Sequence, residues 1–212
     1  MSTPDSYDVV IVGAGIAGMS AYYYLSRQNP SWSILVIDAK SRIGGTWDTF
    51  RYPGLRCDSD MYTYGFSFRP WTKMTALASG KEIQQYLVET AESIGFNNVC
   101  LMGHTIEYAN WSSINGSWTL FVKNVNTGKK RSLRTRFLFA CTGYFSHKTA
   151  YFPSIPGHEI YGGQTIVAQH WPNNLSLNDK HIALIGSGAT AVSLLPEFAN
   201  EAKKVTMIQR SP

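Results

Sequence analysis

Charge, cysteine and long apolar runs are all scarce in this sequence, and each scarcity closes off a class of protein. Only 16% of the 212 residues are charged, against 44% apolar, and no long polar tract is present. Disorder is excluded by that balance, and the length allows one full core or two small ones. The three cysteines, Cys57, Cys100 and Cys141, are odd in number and widely spaced. They fit neither a disulfide framework nor a zinc site, and no metal-ligand set is expected. The first apolar stretch, YDVVIVGAGIAGMSAYYYL, carries Asp8, is rich in glycine and has no basic segment before it. It reads neither as a signal peptide nor as a membrane span, so a soluble, cytoplasmic protein is expected. The Asn-x-Ser sequons at Asn110, Asn115 and Asn174 are then idle.

The net charge of +5 raises the question of nucleic acid. Its densest part is KNVNTGKKRSLRTR, residues 123–136, around an Asn-Thr-Gly turn. No recognition helix or base-stacking motif accompanies it, so the stretch reads as the solvated end of a β-hairpin.

What is present is a repeated pattern. DVVIVG, residues 8–13, alternates too little for a half-exposed strand and reads as a buried parallel strand, followed by a helix from Ile16 to Arg27 and a second strand, SWSILVIDA. GKEIQQYLVETAESIG places Ile83, Tyr86, Leu87 and Ile94 near helical spacing, with Gly95 as the cap. Residues 104–143 give three strands separated by Ser/Asn/Gly turns, a β-meander. From His181 the strand, glycine turn, helix and strand begin again. The fold class is α/β: one Rossmann-like unit with a β-meander, then the start of a second Rossmann-like unit.

Each glycine of GAGIAG has a chemical reason. Gly13 permits the tight turn, Gly15 lets the backbone approach a pyrophosphate, and Gly18, after Ala17, allows the helix to pack on the sheet. The helix N-terminus offers the anion free N–H groups and the positive end of its dipole. Asp38 ends the second strand twenty residues past Gly18, where a carboxylate accepts from a ribose diol. The second turn, GSGATA, runs through Gly186, Ser187, Gly188, Ala189, Thr190 and Ala191, with alanine at the third glycine position. The strand after it ends in Gln209 and Arg210 rather than a carboxylate. A cation there suits a 2′-phosphate, so the second cofactor is NADPH. Two dinucleotide sites in one chain narrow the class to flavin enzymes reduced by a nicotinamide, with FAD at the first. Cys57 stands alone after the flavin turn, which excludes the disulfide reductases of this architecture.

With GAGIAG, GGTWDTFRYPGLRCDSD, CTGY, QHWPNN, GSGATA and QRSP in hand, the sequence resembles the flavin-dependent Baeyer-Villiger monooxygenases from about Asp8 to Pro212. Within them it resembles the ethionamide-activating group, and flavin-containing monooxygenases are wider relatives. The resemblance implies that Thr46, Trp47 and Asp48 line the flavin, that Tyr52 and Asp58 sit near its reactive face, and that Ile106 lies by the adenine. It places Asp58 in the network holding a catalytic arginine. From the residues alone, Asp58, with Arg51 and Arg56 close before it, reads equally as a surface ion pair. Thr142 and Gly143 end a buried strand as the family's second flavin-contact turn does. The implied reaction moves one oxygen atom of O2 into a ketone, or onto a soft thioether, thiocarbonyl or amine nucleophile, at the expense of NADPH. The family fingerprint is matched by Tyr161, Gly163, Trp171 and Pro172, but Val167 stands at its histidine and His170 is three places late. Valine cannot make the hydrogen bonds which that histidine implies.

By this resemblance residues 1–150 are the first part of an FAD-binding domain, 151–180 a linker with the fingerprint, and 181–212 the start of an NADPH-binding domain. The chain then reads as the N-terminal portion of a monooxygenase, inactive alone, or alternatively as a noncatalytic dinucleotide-binding protein derived from one.

Overall fold

The computed structural model describes residues 5–210; Ser211 and Pro212 of the QRSP motif lie outside the described residues. It divides into two compact units, 1–48 with 84–145 and 49–83 with 146–212. The units are drawn differently from the linear division 1–150, 151–180 and 181–212, since residues 49–83 cluster with the later part of the chain.

The first unit is built on a six-stranded sheet. Strand β1 (Ser6–Val12) leads through the Gly13–Gly15 turn into helix α1 (Ile16–Gln28), and β2 (Ile34–Asp38) follows. Val9, Val10 and Ile11 are fully buried, as expected of a strand covered on both faces. Strands β4 (His104–Ser112), β5 (Ser117–Asn124) and β6 (Lys130–Ala140) form the antiparallel meander. The meander is continuous with the parallel half of the sheet, because β6 also pairs in parallel with β1, Ile11 opposite Phe139 and Val12 opposite Ala140. A short parallel strand, β3 (Cys100–Met102), extends the sheet beside β2. Three residues carry too little pattern for sequence to show it. The order is β3-β2-β1-β6-β5-β4, and a core of Tyr7, Val10, Leu35, Ile37, Leu120, Val122 and Leu133 joins the parallel half to the meander. The carboxyl ends of β1, β2 and β6 meet at one edge, which is where open α/β sheets bind ligands. At the other end of the meander, the basic cluster lies on the β5–β6 hairpin, where Glu107 holds Lys130 at 2.8 Å and Lys123 at 3.7 Å.

Two short helices, α2 (Thr46–Thr49) and α3 (Met61–Tyr64), interrupt the segment that precedes the longer α4 (Gly80–Ser93). Helix α4 opens on a reciprocal cap: the Ser79 N–H and hydroxyl donate to Glu82 at 3.0 and 2.9 Å, and the Glu82 N–H donates back to Ser79 Oγ. Gly95, at φ +70°, follows its last turn as the sequence predicts.

The second unit holds a two-stranded parallel sheet, β7 (His181–Ile185) and β8 (Lys204–Ile208), joined through α5 (Ala189–Glu201). Its core gathers Leu177, Leu184, Ala191, Leu194 and Phe198 around Tyr52. Gly54 is pressed so closely to α5 that a Cβ would lie 2.3 Å from the Ser193 carbonyl oxygen. Among the described residues no helix is long and apolar enough to cross a membrane.

The cap on α4 gives a direct test. Ser79→Ala is expected to lower stability by about 1 kcal/mol in urea denaturation. Glu82 is held below the usual carboxylate range, chiefly by the Ser79 N–H. Its stabilising contribution is therefore complete above its unfolded pKa and lost as pH falls through the lower, folded value. The difference between wild type and Glu82→Gln should shrink correspondingly below about pH 4.

Candidate functional site: two dinucleotide turns

Gly13 leaves β1 at φ +113°, in the region that favours glycine. Its N–H donates to the Ile37 carbonyl, and the Cys141 N–H donates to that of Val12, each at 2.8 Å. A Cβ on Gly13 would lie 2.2 Å from the Cys141 oxygen, and one on Gly18 would lie 1.9 Å from the Gly13 oxygen. At both positions the chain's own backbone requires glycine. Gly15 is different. Its φ is −89°, which any residue adopts, and a Cβ would meet only Gly45, its Cα at 3.5 Å and its N at 3.9 Å, both ordinary distances. Protein packing does not demand glycine there, so its bareness suits the close approach of a ligand.

The rest of the turn fits an anion. Helix α1 starts at Gly15 with no side-chain cap and no acidic residue in its first turn, leaving its N–H groups and dipole unopposed. Asp38 is tied into the turn, accepting from the Ala14 N–H at 2.7 Å through Oδ2 and from the Lys40 N–H at 2.8 Å through Oδ1. An ionised carboxylate keeps further acceptor capacity for a diol. A second glycine pair crosses over the first turn: the Gly44 N–H donates to the Ala14 carbonyl at 2.9 Å, and a Cβ on Gly45 would lie 3.0 Å from Gly15 Cα. Thr46 and Trp47, half-buried, start α2 from this crossing. Asp48 is buried, with Lys40 Nζ at 2.5 Å and Arg42 Nη2 at 2.9 Å. Its carboxylate thus closes the loop onto itself.

Thr142 and Gly143, the latter at φ +71°, are exposed just past the carboxyl end of β6, at the same sheet edge as Gly13. Ile106 is half-buried on β4 against the meander core. Tyr52 and Asp58 belong to the second unit. Tyr52 is buried in that unit's core, while Asp58 is exposed with Arg56 Nε 3.8 Å away, the geometry of a weak surface pair. All three cysteines are free. Burial pushes the Cys100 thiol up to about 12, with the Asp38 charge adding to it, and burial also raises that of Cys141. Neither supplies a thiolate at neutral pH. Among the described residues no group of His, Cys, Asp or Glu side chains could hold a metal ion.

The second turn repeats the first in its backbone. Gly186 takes φ +117°, its N–H donates to the Ile208 carbonyl at 2.8 Å, and α5 starts at Gly188 with no side-chain cap and no acid in its first turn. Ser187, Gly188 and Ala189 are exposed, and Thr190 is half-buried. Ala191 packs into the core, which explains why its methyl is accepted at the third position. Ile185 stands opposite Ile208, so the exposed Gln209 and Arg210 leave β8 at the same edge as the turn. Trp171 of the fingerprint stacks on Phe198 of α5, ring centroids 5.8 Å apart, while Val167 precedes the short 3-10 turn Ala168–His170.

Sequence reasoning missed Gly44 and Gly45 as part of the site, along with Lys40, Arg42 and Gln84, which hold that loop in place. The doubled glycine was the available signal.

Residues 11–79 match an NAD(P)-binding Rossmann-like domain, and residues 77–212 match the family described as flavin-binding monooxygenase-like. FAD-containing monooxygenase EthA of Mycobacterium tuberculosis (strain ATCC 25618 / H37Rv) is 46% identical over 206 residues, covering 97% of this chain and 42% of that protein. The probable FAD-binding monooxygenase AlmA of an Acinetobacter species is 42% identical, with coverage of 97% and 41%. Among solved structures, the open form of cyclohexanone monooxygenase superposes with a TM-score of 0.84 at 26% identity, covering 99% of this chain and 40% of that one. Oxidized steroid monooxygenase bound to NADP gives 0.81 at 29% identity, with coverage of 97% and 39%. The chain spans about two fifths of the length of these relatives. The 77–212 match takes in more than half of the chain, which belongs to the flavin-binding monooxygenase-like family.

Proposed function

We propose that this protein binds FAD at the Gly13–Gly18 turn and NADPH at the Gly186–Ala191 turn, and serves a monooxygenase that passes one oxygen atom of O2 to a small organic substrate. The observation that carries the reading is the repeated strand, glycine turn and uncapped helix, followed by Asp38 in one copy and by Arg210 in the other. An acceptor selects a free ribose diol, and a cation selects a 2′-phosphate. The relatives' names, FAD-containing monooxygenase and a steroid monooxygenase bound to NADP, support both cofactors. When bound, FAD would supply the redox and oxygen chemistry, at the expense of NADPH.

The chain's own residues bind and orient. Backbone N–H groups at the start of α1 would hold the pyrophosphate, and Asp38 would accept from the ribose hydroxyls. The Asp48 pairs with Lys40 and Arg42 fix the loop that carries Thr46 and Trp47, which would line the flavin. Thr142, Gly143 and Ile106 are assigned to the same cofactor, Tyr52 and Asp58 to its reactive face. The substrate class is a ketone, giving an ester, or a soft sulfur or nitrogen nucleophile. Asp58 is the residue proposed to pair with a catalytic arginine, a role that its exposed position and distant Arg56 leave it free to take.

Product analysis with FAD, NADPH, a cyclic ketone and a thioether tests the activity in the full-length protein. Ester or sulfoxide is expected, whereas tight binding of both nucleotides without either product favours the noncatalytic alternative. Because Gly15 alone among the first three glycines has room, Gly15→Ala should fold with unchanged thermal stability yet bind FAD at least 10-fold more weakly, read by flavin fluorescence. Gly13→Ala should instead lose stability outright. For the second turn, a charge-assisted contact is worth about 1.5–3 kcal/mol, so Arg210→Gln should erase an NADPH-over-NADH preference of about 10- to 150-fold, measured by titrating both nucleotides.

A further inference from the structure

Gln84 lies on α4, outside every motif of the dinucleotide turn, yet its side chain ends on that turn's crossing loop. Its Nε2 donates to the Ile43 carbonyl at 2.9 Å, across 41 residues of sequence. Its amide packs against Gly44: a Cβ at residue 44 would meet Oε1 at 2.0 Å, Cδ at 2.7 Å and Nε2 at 2.8 Å. Oε1 is buried and has no hydrogen-bond partner among the described residues. A half-satisfied buried amide is costlier than an apolar side chain of the same size, so packing alone would favour methionine or leucine. What the amide adds is its hold on Ile43.

The residues under that hold are the ones that cover the turn. The Gly44 N–H donates to the Ala14 carbonyl, and Gly45 crosses Gly15 at backbone contact distance. We infer that Gln84 is a positioning residue for the flavin pyrophosphate: it clamps Ile43–Gly45 onto Ala14–Gly15 and so sets the gap left above Gly15. The inference rests on the flavin reading of that turn. It also gives Gly44 a reason beyond its φ of +121°, since only a residue without a side chain leaves space for the amide.

Two measurements on the same variant test the clamp and its consequence separately. Gln84→Met keeps the volume and removes both amide atoms. Hydrogen exchange at the Gly44 N–H is expected to quicken about 10-fold, with exchange at Val10 and Ile11 unchanged, and FAD affinity is expected to fall about 10-fold. Gly44→Ala should cost less FAD affinity in a Gln84→Ala background than in wild type, because the collision is gone and only the backbone strain remains. Where Gln84→Met fails to fold, Gln84→Leu also removes both amide atoms, in a smaller side chain, and is read in the same way. Unchanged Gly44 exchange would show that no clamp exists and overturn the inference. So would faster exchange with unchanged FAD affinity in a flavin-binding protein. Wild-type protein that takes up no flavin would instead overturn the function proposed above, and this inference with it.

Discussion

The Cys141 carbonyl oxygen stands where a side chain on residue 13 would have to be, and the Gly13 carbonyl stands where one on residue 18 would have to be. These two backbone contacts lock β6, the turn and α1 into one piece, and everything chemical in the first unit is measured from it. Val12 pairs with Ile37 on one side and Ala140 on the other, so the ends of three strands converge on the turn. Asp38 and Thr142 arrive beside it for that reason alone. The close approach also explains why a cofactor site can be assembled from residues more than a hundred positions apart without any long side chain reaching across.

How much of this could be read beforehand varied with the kind of signal. Helix α1, strands β1 and β2, the meander and the Gly95 stop are legible because each is written in local periodicity or local turn chemistry. The parallel pairing of β6 with β1 is not. A strand of FLFA type looks the same whether its second neighbour is water, a helix or another strand, and pairing partners leave no trace in a single sequence. The site divides along the same line. Gly13, Gly18 and Asp38 follow a spacing rule with a mechanical basis, whereas the Lys40–Asp48–Arg42 cluster and the Gln84 amide depend on where a loop folds back.

The two units show the same backbone motif in different surroundings. A Cβ built on Gly13 or Gly18 would collide with backbone atoms, while among the described residues nothing lies within 4 Å of a Cβ built on Gly186 or Gly188.

Strand β6 has two partners of opposite kinds, and that has a kinetic meaning. Its contacts with β5, and those of β5 with β4, are hairpin contacts between close neighbours in sequence, which form in microseconds. Its contact with β1 joins Ser6 to Arg134 and must close a loop of more than a hundred residues before any reward is gained. The meander is thus the natural template: it assembles first and presents a ready edge to the N-terminal strand. During synthesis the glycine turn emerges long before the strand that gives it shape. Until residue 141 has been made, that turn exists in the sequence but not in space.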